Sequence, residues 1–296
     1  MKTIMMIEPI SFGFNEETAV NNYFQRKEQI EHPQQKALQE FNSFVAQLES
    51  HDIDVLVVKD TPSPLTPDSI FPNNWISVHE GGTMVLYPMY ARNRRQERKQ
   101  TVIDALKQNA VINEIVDFTH FENSHQYLEG TGSMVLDRKN KIAYACISER
   151  TDKDLFASFC MKMNYTPMLF HAHDQRKLMI YHTNVLMCMA DRYVVICLDA
   201  VYDQIEREKL LEQFSSTQKE VVQISFEQMD HFCGNMLQVQ NKHGEYFLVM
   251  STQAYEYLTA EQVKQLQAFQ PIIHSDITTI ETLGGGSARC MMAELI

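Results

Sequence analysis

Apolar and polar positions alternate along this chain in a pattern that repeats. Four times, a period-2 apolar run, a short polar turn and a second apolar run predict a β-hairpin. The first two join Trp75–His79 to Thr83–Tyr87 across Glu80-Gly81-Gly82, and Ser133–Leu136 to Ile142–Cys146 across Arg138-Lys139-Asn140. The others join Val185–Met189 to Tyr193–Leu198 across Ala190-Asp191-Arg192, and Met236–Val239 to Tyr246–Met250 across Asn241-Lys242-His243-Gly244. After each hairpin, apolar residues recur at three- and four-residue spacing, as at Val102, Ile103 and Leu106, which predicts a helix. These helices span Arg94–Gln108, Asp152–Met163, Gln204–Phe214 and Thr259–Phe269. A short strand follows each: Ile112–Val116, Pro167–Phe170, Val221–Ile224 and Ile272–His274. Near the start lie a fifth helix, Pro33–Leu48, and a fifth strand, Asp54–Val58, without a hairpin of their own. Lys2–Ile7 and Cys290–Leu295 are expected to pair and supply it.

The turns recur at intervals of about fifty to sixty residues, within the range of modular folds. Five modules of hairpin, helix and strand would close into a ring, with both chain ends in one module. The competing arrangement is a mixed α+β sandwich. In a ring, the first strand of each module starts near the central axis. Those starts fall near Asn74, Glu129, His182, Gly234 and Cys290. A carboxylate, an imidazole and a thiol are thereby expected to converge from distant parts of the chain.

No Pro/Gly/Ser-rich linker divides the 296 residues, so one domain over 1–296 is expected. With 44% hydrophobic and 22% charged residues, the composition excludes intrinsic disorder. The balance of 26 basic against 38 acidic residues gives a net charge of −12. That disfavours a nucleic-acid partner and docking on an anionic membrane, and leaves self-association open. No run approaches the ~18 apolar residues of a spanning helix. The segment Met1–Glu8 is too short and too soon acidic for a signal peptide. Six cysteines lie at unpaired spacings, several inside apolar runs such as Leu186–Met189. They read as buried thiols in a reducing compartment, the cytoplasm.

Cys290 follows Gly284-Gly285-Gly286-Ser287-Ala288-Arg289. Glycines there allow a close backbone approach to a ligand, and their N–H groups would serve an oxyanion. A phosphate loop needs a following helix, and Met291–Ile296 look like a strand. A core cysteine after a flexible loop is the plain alternative. His182 precedes a very apolar strand, where it would activate a thiol and protonate a leaving group. Glu129, followed by Gly130-Thr131-Gly132, would orient that histidine or activate water. His171 and His173 have the spacing of a chelate but no evident third ligand, so neither metal nor cofactor is expected. Arg94, in the basic run Arg92–Lys99, has the planar fork that suits a substrate carboxylate.

Together these segments resemble the arginine deiminase and amidinotransferase superfamily, most of all its citrulline-utilisation hydrolase branch. Gly284–Cys290 resembles the nucleophile motif. Glu129-Gly130-Thr131-Gly132 resembles the glutamate-glycine-glycine-aspartate element, and His182-Thr183-Asn184 the histidine-x-aspartate element. Phe71-Pro72-Asn73-Asn74-Trp75 resembles phenylalanine-x-arginine-aspartate, and Arg94-Arg95-Gln96-Glu97 resembles arginine-x-x-glutamate. The resemblance implies the pentein fold, an α/β five-bladed αβ propeller with pseudo-fivefold symmetry. It implies Cys290, His182 and Glu129 as catalytic, and Asn74, Asn184 and Arg94 as substrate-binding.

The departures from the family pattern carry information. Guanidine-processing members hold the guanidinium with two aspartates, where this chain has Asn74 and Asn184. Losing two ion-paired hydrogen bonds costs about 1.5–3 kcal/mol each. A neutral ureido group instead has a carbonyl oxygen that needs a donor, which an amide supplies. Citrulline is therefore the expected small-molecule substrate, with ornithine, ammonia and carbon dioxide as products through a covalent Cys290 adduct. Gly132 replaces a further family aspartate. The rival is a guanidine enzyme, a deiminase, dimethylarginine hydrolase or amidinotransferase type, in which Asp276 or Glu281 restores the lost carboxylate. A non-catalytic pentein scaffold is the other alternative.

Overall fold

All four expected hairpins form, and each gains a third strand on one side. The computed structural model describes residues 3–296; Lys2, at the start of the first expected strand, lies outside the described residues. The strands are β1 (Thr3–Glu8), β2 (Asp54–Lys59), β3 (Ile76–His79), β4 (Thr83–Leu86) and β5 (Glu114–Asp117). There follow β6 (Met134–Asp137), β7 (Ile142–Cys146), β8 (Thr166–Phe170), β9 (Met187–Met189) and β10 (Tyr193–Ile196). The last are β11 (Glu220–Gln223), β12 (Leu237–Gln240), β13 (Tyr246–Ser251), β14 (Ile272–Ser275) and β15 (Ala293–Leu295). They form five three-stranded sheets. In four of them an antiparallel hairpin is followed by a helix that returns the chain to a parallel outer strand, as a parallel connection requires.

The fifth sheet joins the two ends of the chain. β1 pairs antiparallel with β15, Thr3 opposite Leu295 and Met5 opposite Ala293. It pairs parallel with β2 in the other direction, from Thr3 opposite Asp54 to Glu8 opposite Lys59. Inner strands touch their neighbours around the ring: β15 meets β3, β6 meets β9, and β9 meets β12. This is the five-bladed propeller expected from the sequence. The outer strands are the least buried. The middle strands β7 and β10 are buried throughout, whereas the outer strands β5 and β11 keep one buried residue each.

Four of the five expected outer helices form where the periodicity places them, and three of these start at a side-chain cap. Helix Lys153–Met163 starts at Asp152, whose carboxylate accepts from the Asp154 and Leu155 amides. Its apolar face is Leu155, Phe156, Phe159 and Cys160. Helix Ala260–Gln267 starts with a Thr259/Gln262 capping box.

Two expectations need correction. The stretch expected as a helix over Arg94–Gln108 is split into a 3-10 turn, Asn93–Glu97, and a helix, Gln100–Asn109. Arg94 and Glu97 of that turn are buried, and Lys99 is extended between the two pieces. The strand expected over Cys290–Leu295 starts only at Ala293, because Ala288–Met291 is a 3-10 turn. Similar short turns precede other inner strands, at Pro72–Asn74, Gly130–Ser133 and Thr183–Leu186. These turns, rather than the strands themselves, present side chains to the axis.

Candidate active site

Cys290, His182, Glu129, Asn74, Asn184 and Arg94 are each at most 4% exposed and meet at one end of the axis. Five of the modules' turns supply them. Asn74, Arg94, His182 and Cys290 line a narrow cavity of about 10 Å³, together with Asp68, Arg150, Tyr181 and Gly284–Gly286.

His182 Nε2 donates to Glu129 Oε2 at 2.8 Å. That contact leaves Nδ1 as the nitrogen able to carry a proton to or from a ligand. Glu129 Oε1 accepts from the Tyr90 amide at 2.9 Å, and Arg150 Nη1 lies 3.4 Å from Oε2. Burial works to raise the Glu129 pKa, but the Arg150 guanidinium and the His182 contact outweigh it and bring it down to about 2. Burial lowers the His182 pKa to about 4, against the pull of Glu129 and with the help of Arg150 and Arg94. At neutral pH the pair is thus a carboxylate with a neutral imidazole, and Arg150 balances the charge.

Asn74 and Arg94 form a second pair. Arg94 Nη1 donates to Asn74 Oδ1 at 2.7 Å. The same guanidinium forks onto Glu97, Nε to Oε1 at 2.8 Å and Nη2 to Oε2 at 2.9 Å. Arg94 was expected at a substrate carboxylate; the structure sets it in the cavity wall with its fork turned to Glu97. Guanidinium has no acceptor, so the Asn74 amide must face it with oxygen, which leaves Nδ2 on the side of Gly132. Nδ2 is buried without a hydrogen-bond partner among the described residues.

The sulfur is the third element. Asn184 Nδ2 lies 3.5 Å from Cys290 Sγ, and Asn235 Nδ2 lies 3.3 Å from it. Asn184 Oδ1 is then left buried and unpaired among the described residues, as is Asp68 Oδ1. An unpaired buried polar atom costs about 1–3 kcal/mol. Asn74 and Asp68 both line the cavity, so a donor and an acceptor are left there for a polar ligand to satisfy, with the Asn184 acceptor beside the sulfur.

Sequence reasoning missed three of these groups. Asn235 follows Gly234, one of the expected module starts, and that position was its one signal. Arg150 is 1% exposed and is held by the Thr18 carbonyl at 2.9 Å and the Asn21 side chain. Asp68 accepts from Asn15 and Thr18. Arg150 and Asp68 both depend on segment 11–31, which has no periodic pattern and packs across the cavity mouth. There Asn22 Nδ2 donates to the Gly285 carbonyl at 3.1 Å, and Gln25 Nε2 to the Leu283 carbonyl at 2.9 Å. Asp276 and Glu281, the residues proposed to restore a carboxylate, stand outside the cavity wall. Asp276 caps Thr278, and Glu281 receives Ser287 Oγ and Gln253 Nε2. His171 pairs with Glu206 at 2.8 Å, and no group of three or more metal-ligating side chains occurs among the described residues. All six cysteines are buried and unpaired.

Five blades of this topology closed around a buried thiol, imidazole and carboxylate define a pentein of the arginine deiminase/amidinotransferase superfamily. A family model described as N,N dimethylarginine dimethylhydrolase, eukaryotic, matches residues 8–296, and the chain belongs to that family. Solved structures of the same fold include the N-terminal domain of ArgZ, an arginine dihydrolase from the ornithine-ammonia cycle in cyanobacteria. That domain, bound to substrate, shares 17% identity over 100% of this chain and 98% of its own, with a TM-score of 0.76. The chain spans 40% of the longer ArgZ chain. Unliganded AgrE gives a TM-score of 0.78 at 16% identity, over 100% of this chain and 39% of that one. Dimethylarginine dimethylaminohydrolase, as an adduct with S-methyl-L-thiocitrulline, gives 0.65 at 12% identity over 99% and 98% of the two chains. At such identities the likeness is one of fold. No curated protein sequence matches the chain.

Proposed function

We propose that this protein hydrolyses the ureido group of an amino acid, most simply citrulline, to ornithine, ammonia and carbon dioxide. The observation that carries this reading is the orientation of the Asn74 amide. Arg94 takes its oxygen, so the amide of this cavity-lining residue keeps an unpartnered N–H for a ligand. A guanidinium has only donors, and would meet that N–H with another. A ureido group offers a carbonyl oxygen to it. Asn184 Oδ1 supplies the complementary acceptor for a ureido N–H. Asp68 Oδ1 and the Arg150 guanidinium give one acceptor and one cation, as the two ends of a free amino acid require.

In the proposed reaction Cys290 Sγ attacks the ureido carbon, and its proton passes to His182 Nδ1. Asn74 Nδ2 holds the oxygen as charge develops on it. A C–N bond breaks and His182 returns the proton to the departing nitrogen. Water, deprotonated by His182, then cleaves the thiocarbamate, and the carbamate product loses carbon dioxide. One water is consumed for each ornithine, ammonia and carbon dioxide formed. Glu129 fixes the tautomer throughout.

A second reading, hydrolysis of a guanidine, draws support from the family to which the chain belongs and from the unpaired Asp68 oxygen. The test is incubation with citrulline and, separately, with arginine and dimethylarginine, beside a Cys290→Ala control, with ornithine, citrulline and ammonia measured. Ornithine from citrulline, abolished in the variant, is the expected result. Citrulline formed from arginine or dimethylarginine, with none consumed, overturns it in favour of the second reading.

A further inference from the structure

Asn235 is fully buried and spans three blades at the axis. Its Oδ1 accepts from the Arg289 amide at 3.0 Å, one residue before the nucleophile. Its Nδ2 donates to the Asn184 carbonyl at 3.0 Å. A backbone N–H demands oxygen and a backbone carbonyl demands N–H, so these two contacts settle which end of the amide is which. Nδ2 also lies 3.3 Å from Cys290 Sγ, nearer than Oδ1, which can accept from the thiol at 3.6 Å. Asn184 Nδ2 approaches the same sulfur from 3.5 Å.

We infer that Asn235 is a further catalytic residue, which with Asn184 forms a two-amide cradle that stabilises the Cys290 sulfur as a thiolate. Hydrogen bonds to the charged form of an acid favour that form, and those to an ionised acceptor are about twice as strong as neutral ones. His182 is neutral at rest, so no imidazolium is available to hold a thiolate by charge. The amides fill that role without carrying a charge of their own. The backbone here is built for the approach. A Cβ on Gly234 would stand 2.3 Å from the Val185 carbonyl oxygen, so only glycine lets the fourth blade bring Asn235 this close to the third. The inference concerns the nucleophile of the proposed hydrolase and rests on that reading for its purpose, not for its measurement.

The test is the pH profile of Cys290 alkylation by iodoacetamide, followed by site-resolved mass spectrometry, in the wild type, Asn235→Asp and Asn235→Ser. Asn235→Asp keeps the shape but replaces the Nδ2 donor with a second, charged oxygen against the sulfur. Its alkylation at pH 7 is expected to fall at least tenfold, while the plateau rate at high pH stays within twofold of wild type. Asn235→Ser is expected to fall between the two. A pH 7 rate within twofold of wild type in both variants overturns the inference. If Asn235→Asp fails to fold, the ratio of pH 7 to plateau rate in Asn235→Ser decides: lowered at least threefold it supports the cradle, unchanged it overturns it. Cysteine reactivity needs no substrate, so the two proposals fail separately. Slowed alkylation with inert citrulline would sink the ureido reading alone, and unchanged alkylation with brisk citrulline hydrolysis would sink this one alone.

Discussion

Gly132 makes the room that the Asn74 amide occupies. A Cβ at position 132 would lie 2.4 Å from Asn74 Nδ2 and 2.8 Å from the His182 ring. Two departures from the family pattern, Gly132 for aspartate and Asn74 for aspartate, are therefore one arrangement. Gly132→Ala is expected to displace both the amide and the imidazole. Turnover of citrulline should fall at least a hundredfold while the thermal midpoint shifts by only a few degrees, as measured by steady-state kinetics beside a melting curve. Wild-type turnover in Gly132→Ala would show that the amide is not held where the substrate binds.

Asn74→Asp replaces the unpartnered donor of this cavity-lining residue with an acceptor. A ureido oxygen would then meet a carboxylate oxygen, at a cost of about 1.5–3 kcal/mol, or ten- to a hundredfold in kcat/KM. The same change offers a guanidinium the partner it lacks. The expected outcome is a loss on citrulline together with a gain in arginine binding, read by kinetics and by calorimetric titration. Equal losses on both would argue that Asn74 matters only for packing.

Arg94 acts through Asn74, and removing it has two separable consequences. Arg94→Met strands the buried Glu97 carboxylate, which is expected to cost about 3–5 kcal/mol in denaturant unfolding. Arg94→Met with Glu97→Leu should recover most of that stability. It should not recover activity, because nothing then fixes the amide. An active double variant would refute the positioning role.

The pH dependence follows from the His182–Glu129 pair. The histidine is buried neutral, with its pKa brought down from 6.5 to about 4. Its unfolded form takes up a proton first, so stability declines as the pH falls from about 6.5 towards 4. Glu129, depressed from 4.5 to about 2, contributes stability above pH 4.5 that is lost as the pH drops through that interval. Catalysis by the neutral imidazole should persist to about pH 5 and fail through about pH 4. Glu129→Gln removes the charge that raises the histidine, so the acid limb of kcat/KM should move to lower pH while kcat falls by about 10²–10⁴. A limb that moves to higher pH would contradict this account.

How far the sequence could be read depended on whether a feature leaves a periodic trace. The hairpins and outer helices do, and most of their boundaries fell within a few residues of those observed. The turns before the inner strands do not. Four residues such as Gly130–Ser133 or Ala288–Met291 are too few to show a period, so they merged with the strands that follow. Cys290, His182 and Glu129 were legible because the module starts marked them. Asn235 stood beside such a start without being weighed, since an asparagine carries no chemistry until its neighbours are known. Arg150 and Asp68 were hidden for a different reason. Their partners Thr18, Asn21 and Asn15 lie in segment 11–31, where contacts are set by side chains distant in sequence.

The pairing of β1 with β15 also sets a timetable. Bringing Thr3 beside Leu295 closes a loop of nearly the whole chain, at an entropic cost of about 5 kcal/mol. Contacts of such separation form late in folding. During synthesis the carboxylate and the imidazole emerge well before the thiol, and the blade that seats the thiol needs residues from both ends of the polypeptide. A chain caught part-way therefore carries the imidazole and carboxylate without the thiol beside them, and the candidate site is assembled only with the closure that completes the ring.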